Sequence, residues 1–183
     1  MRKPRNIVYS STPKTVRVNL DNTNPNIATW NNWKSGDSTK VLYDTTGAVT
    51  TIKFVEVDSI VITFDTGYIT HAVNDPDFPD GVLNTTGYTA LSDTKGFEIR
   101  GLNPSKTYTF SLATYPNTFD ITYGRTNHVL NGVTKVALNT TDAIYKNVFS
   151  GVNPSAGGVV TLTVGGIDSS NYGFLSAMII QEN

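Results

Sequence analysis

His128-Val129-Leu130-Asn131-Gly132-Val133-Thr134-Lys135-Val136-Ala137-Leu138 decides the fold class. Two runs rich in β-branched and apolar residues flank Asn131-Gly132. That pair readily takes positive φ at both central positions of a type I′ turn, whose twist matches that of two antiparallel strands. A helix through the same stretch would carry a glycine in its interior and has no apolar stripe at 3.6-residue spacing to hold it. The stretch is a hairpin. The rest of the chain repeats its texture.

Short alternating runs recur at Thr15–Leu20, Lys40–Tyr43, Val49–Val57, Ser59–Asp65, Gly96–Arg100, Thr107–Tyr115, Ala143–Phe149, Val159–Val164 and Gly173–Gln181. Each is rich in Val, Ile, Thr, Tyr or Phe, and no segment of a dozen residues shows a clean helical period. Pro25, Pro76, Pro79, Pro104, Pro116 and Pro154 fall between the runs, where a missing N–H costs no ladder bond. The expected fold is all-β: a two-sheet antiparallel β-sandwich of jelly-roll type over residues 15–183, preceded by an extended N-terminal arm over residues 1–14. A chain of 183 residues is long enough to bury a full core as one domain.

Composition removes several function classes. The chain has no cysteine, which excludes disulfides and thiolate metal sites. Its formal charge is -1, and the basic residues cluster only at Arg2, Lys3 and Arg5, so neither nucleic acid nor an anionic membrane is an expected partner. The basic start is not followed by an apolar run, so no secretory leader is expected. No run approaches the length of a membrane span.

Two long stretches, Asp21–Asp37 and Thr70–Thr94, read as loops, and loops of that length are often functional. The first carries Trp30, Asn31, Asn32 and Trp33. A sugar site needs a flat aromatic for the apolar ring face and amides or carboxylates for the hydroxyls, so Trp33, Asn31 and Asn32 are candidate glycan ligands. Trp30 reads as a plug at the open end of the sandwich. Tyr115, Tyr123 and Arg125 form a second candidate patch. Asp75-Pro76-Asp77-Phe78-Pro79-Asp80 places three carboxylates in six residues, a donor set that suits calcium, although the same aspartates serve as turn formers. His71 and His128 have no partner at zinc-ligand spacing. Gly36-Asp37-Ser38 matches the nucleophile block of some esterases superficially, but no histidine stands where that chemistry needs one, and the tripeptide reads as a turn. No catalytic residue is assigned and no enzyme activity is expected.

Gly101-Leu102-Asn103-Pro104-Ser105-Lys106-Thr107-Tyr108-Thr109-Phe110 resembles the loop-to-strand corner of fibronectin type III domains, which implies that the Tyr108 hydroxyl ties back to the backbone. In order along the chain, Val16–Leu20, Trp30–Trp33, the Leu102–Tyr108 corner and the closing Ser169–Ile180 are similar to galactose-binding-like (malectin-like) jelly-roll modules. These accompany secreted carbohydrate-active proteins of gut-type bacteria, and similar modules occur in structural proteins of their phages. The resemblance implies a sandwich whose final strand returns beside the first. Joined to the expected lack of a leader, it implies a virion structural protein of capsid, decoration or tail type, assembling with other virion proteins or as a homo-oligomer. In that role Met1–Thr12 would lie on an adjacent subunit. The alternative it implies is a carbohydrate-binding module, extracellular or at a cell surface.

Overall fold

The computed structural model describes residues 14–20, 27–58, 63–66, 75–83, 85–115, 125–138 and 144–183. The expected arm up to residue 13 and Tyr123 lie outside them. Thirteen strands follow in order: β1 (Thr15–Leu20), β2 (Asn31–Trp33), β3 (Lys53–Glu56), β4 (Thr63–Thr66), β5 (Thr85–Tyr88), β6 (Thr94–Arg100), β7 (Tyr108–Thr114), β8 (Arg125–Leu130), β9 (Val133–Leu138), β10 (Tyr145–Val152), β11 (Val160–Gly166), β12 (Phe174–Leu175) and β13 (Ala177–Glu182). One helical turn, α1 (Asp80–Leu83), precedes β5.

Two five-stranded sheets form the sandwich, with orders β10-β7-β13-β1-β2 and β3-β6-β11-β8-β9. Among the described residues all strand pairings are antiparallel except β1 with β2, which run parallel from Val18↔Asn31 to Leu20↔Trp33. The last strand returns beside the first, as expected, with Val16 opposite Ile180. A third, three-stranded sheet has the order β12-β5-β4. The expected single strand over Gly173–Gln181 is broken at Ser176. Before it, Phe174 and Leu175 pair with β5; after it, the chain pairs with β1 and β7. Ser176 holds the changeover: its N–H donates to the Ala113 carbonyl, and its hydroxyl accepts from the Tyr115 N–H and bonds Thr86 Oγ1 at 2.6 Å.

Strand alternation builds the core. Val16, Val18, Leu20, Phe110, Leu112, Met178 and Ile180 from one sheet meet Phe54, Phe97, Ile99, Leu130, Leu162 and Val164 from the other. The Asn131-Gly132 turn has φ of 46° and 82°, the conformation its sequence demands. At the corner after β6, the Tyr108 hydroxyl accepts the Asn103 N–H at 2.8 Å and donates to Glu182 at 3.2 Å, so the chain end is tied to the corner. His128 is wholly buried on β8. Its Nε2 lies 3.0 Å from the Phe174 carbonyl and its Nδ1 accepts from the Asn147 amide at 3.1 Å, which fixes the neutral Nε2–H tautomer. Burial pushes its pKa down to about 4.

A second, smaller core sits on the outer face of the first sheet. Phe78, Val82 and Leu83 pack with Trp30 over Ala113, Tyr115 and Ala177. The segment that carries them is tethered by Lys146 on β10, whose ammonium lies 2.8 Å from Asp75 and 3.5 Å from Asp77. On the other sheet Lys95 is only 2 % exposed, and its charge is met by Glu56 at 3.2 Å and Asp58 at 3.0 Å.

Candidate functional site

The residues expected to bind sugar divide between core, framework and surface. Trp33 is 0 % exposed. Its ring contacts Phe54 edge-on at 4.8 Å and Phe97 at 5.9 Å, and its Nε1–H donates to the Phe54 carbonyl at 3.0 Å. It is a core residue and cannot stack on a sugar. The expectation fails because Trp33 lies on β2 with its side chain between the sheets, where burying an indole is favourable once its N–H finds an acceptor. Tyr115 is likewise buried, in the second core. Arg125 stands exposed at the start of β8. Asn32 is part-buried, accepting from the Asn19 amide at 3.2 Å, and its carbonyl accepts from the Lys40 ammonium.

The acidic loop is not arranged for calcium. Asp75 Oδ1 accepts the N–H groups of Asp77 and Phe78, both at 3.0 Å, and its other oxygen takes the Lys146 ammonium. Asp80 opens α1. The aspartates therefore make a turn and hold a lysine, with the cation supplied by the chain itself. Burial works to raise the Asp75 pKa, but Lys146 and the two amides outweigh it and the net shift is downward. Among the described residues no three carboxylate or imidazole groups converge as a metal site would require.

Asn31 leads to a different site. Its amide nitrogen donates to the carbonyls of Arg17 at 2.9 Å and Tyr43 at 2.8 Å, and its Oδ1 accepts the Tyr43 N–H at 2.8 Å. Both ends of the amide are thus used to fasten Tyr43 alongside β1 and β2. From Tyr43 the chain makes a tight hairpin through Asp44-Thr45-Thr46-Gly47, with Gly47 at φ 85°. The Thr45 N–H donates to the Thr15 carbonyl at 2.9 Å, and Asp44 bridges to Val16. Asp44 Oδ1 accepts three bonds: from the Thr46 N–H at 2.9 Å, the Thr46 hydroxyl at 2.6 Å and the Ala48 N–H at 3.0 Å. The Thr46 hydroxyl acts most strongly to lower the carboxyl pKa.

An open groove of about 350 Å3 runs between this hairpin and the Thr29–Asn31 segment. Tyr43, 47 % exposed, forms one side. Trp30, 8 % exposed, lines it while the rest of its ring packs on Phe78 at 5.8 Å. The Arg17 guanidinium lies 5.7 Å from the Trp30 ring centre and donates to Thr29 Oγ1 at 3.2 Å. Asp44, Thr45 and Thr46 complete the polar wall. Aromatic surface beside an ionised carboxylate and several hydroxyls is the donor, acceptor and stacking set expected for a glycan, but around Trp30 and Tyr43 rather than Trp33. The sequence reading missed Tyr43, which it placed at the end of a strand, and Asp44 just beyond it. The Asp-Thr-Thr-Gly turn directly after an aromatic was the available signal.

No family model matches the sequence, and no curated protein is similar to it by sequence. Solved structures do share the fold. The ANXUR2 extracellular domain from Arabidopsis thaliana superposes with a TM-score of 0.62 at 14% identity, covering 93% of this chain and 41% of that one. For the ANX1 ectodomain from Arabidopsis thaliana the TM-score is 0.56 at 11% identity, with 94% and 42% covered. The chain spans about two fifths of the length of the ectodomains it matches. At these identities the likeness speaks for the fold alone, a two-sheet antiparallel β-sandwich. Nothing in the comparisons supports a capsid, decoration or tail role, or the gut-bacterial setting. Among the described residues no helix is long and apolar enough to cross a membrane.

Proposed function

We propose that this domain is a non-catalytic carbohydrate-binding module that holds a glycan in the Trp30–Tyr43–Asp44 groove. The observation that carries the reading is the pairing of a half-exposed tyrosine with a fixed, ionised carboxylate on one rigid hairpin. Binding sites combine apolar surface with a few placed polar groups, and this groove has the size and lining of such a site. Asn31 fixes Tyr43 through two main-chain carbonyl and amide contacts, so little ordering is lost when a ligand docks. Asn31 is a positioning residue in this reading. The extracellular setting of the ANXUR2 domain fits a module that meets glycans outside the cell. The test is a glycan array probed with the full chain, followed by calorimetry on the best binders with Tyr43→Ala. That variant should lose binding about tenfold or more and keep its melting temperature. Equal binding by wild type and variant would move the site elsewhere.

Assembly, the main expectation from the sequence, draws on a different observation. β9 and β10 are terminal strands of the two sheets, and Val133, Val136, Leu138 and Val148 on them are exposed. Four large apolar side chains on neighbouring strands support self-association along that side. Light scattering across a concentration series tests it: a dimer that Val136→Lys dissociates supports the role, and a monomer throughout removes it.

A further inference from the structure

We infer that the groove selects uncharged glycan over uronate-bearing glycan, and that Asp44 makes the distinction. The inference rests on the glycan reading above and adds the substrate class. Three donors converge on Asp44 Oδ1, all from its own hairpin, and they favour the ionised form. Among the described residues the hydrogen bonds to the Asp44 carboxylate all end on Oδ1, which leaves Oδ2 for a ligand. An ionised carboxylate accepts hydroxyl protons from a neutral sugar ring and has no proton to give. A uronate ring brings its own negative charge to the same wall, where two like charges a few ångströms apart repel in a partly desolvated groove.

The rest of the lining does not reverse this preference. Among the described residues no lysine or arginine lines the groove. Of the cations near it, Arg17 stands outside the lining, over the Trp30 ring and donating to Thr29 Oγ1, with its Nε–H unpartnered among the described residues, and the charge of Lys14 is set against that of Asp44 itself, where it helps to keep the carboxyl ionised. The other polar side-chain groups of the lining are the threonine hydroxyls, the Tyr43 hydroxyl, the Trp30 indole N–H and the Asn31 amide, whose three bonds are already made within the chain. Among the described lining residues the single formal charge is therefore negative, on Asp44.

The experiment is titration calorimetry on the full chain at neutral pH and low salt, using matched tetrasaccharides. The probes are cellotetraose against tetraglucuronate, mannotetraose against tetramannuronate, and galactotetraose against tetragalacturonate. The neutral member of the bound pair should bind about tenfold or more tightly than its uronate partner. Asp44→Asn keeps the Oδ1 acceptor and removes the charge, so it should narrow that gap at an unchanged melting temperature. A uronate bound as well as its neutral partner, or a gap that Asp44→Asn leaves untouched, overturns the inference while the glycan reading stands. If no member of the panel binds, the glycan reading itself falls and takes the inference with it.

Discussion

Trp33→Ala separates a sugar platform from a core residue. The indole is 0 % exposed, sits edge-on to Phe54 and Phe97, and donates to the Phe54 carbonyl at 3.0 Å. Truncating a buried tryptophan to alanine costs about 3–5 kcal/mol from lost burial and the cavity left behind. About 1 kcal/mol or more of that reflects the Phe54 carbonyl, which loses its buried partner. Domains of this size shift by about 2–4 °C per kcal/mol, so the melting temperature should fall by roughly 6–20 °C. Against a total stability of about 5–15 kcal/mol, the variant remains folded at low temperature. Calorimetric melting and urea titration at 10 °C read the loss, and glycan binding measured at the same temperature should persist. A variant that melts like the wild type but no longer binds glycan would refute the placement of Trp33 in the core and return it to the site.

Asn31→Ala removes three bonds, two to Tyr43 and one to the Arg17 carbonyl, and should cost about 1–3 kcal/mol in urea titration while weakening groove binding through lost order rather than lost contact. His128 gives the fold an acid-sensitive limb. Its folded pKa of about 4 lies below the ordinary 6.5, so the unfolded chain takes up the proton first as pH falls. Stability should be level above about pH 6.5 and decline between pH 6.5 and 4 by up to roughly 3 kcal/mol, and His128→Gln should flatten that window. Lys146→Met should loosen the Asp75–Leu83 segment by about 1 kcal/mol or less and let the Asp75 pKa rise, which carboxyl NMR titration can follow. Gly158→Ala places a Cβ 2.3 Å from the Leu102 carbonyl at φ 72°, and should cost more than about 1 kcal/mol in thermal melting.

Local chemistry was legible where a residue's role is set by its neighbours in sequence. Asn131-Gly132 specifies its own turn, and the likeness of Gly101–Phe110 to a fibronectin type III corner implied the tie that the Tyr108 hydroxyl makes. β2 left no such trace. Asn31 and Asn32 are poor strand formers, and the strand exists because β1 offers an edge to pair with. That tertiary pairing also decides which tryptophan is buried between the sheets. In extended chain, residues an odd number apart face opposite sides, so Trp33 enters the main core while Trp30 packs on the outer face with Phe78. The division was latent in the spacing and became readable only once the segment was known to be extended. Asp75 and Asp77 were read as calcium ligands because their counter-ion, Lys146, lies sixty-nine residues beyond Asp77 and no local pattern announces it. Asp44 was missed because its value lies in the hairpin that orients it.

The most direct test of the account is an amide chemical-shift titration of the labelled chain with a glycan that it binds on the array. The account predicts that the largest shifts fall on Thr29–Asn31 and on Tyr43–Gly47, the two segments that line the groove. Shifts centred on Val133–Leu138, or on Arg125 and the start of β8, with the groove residues unmoved, would contradict it.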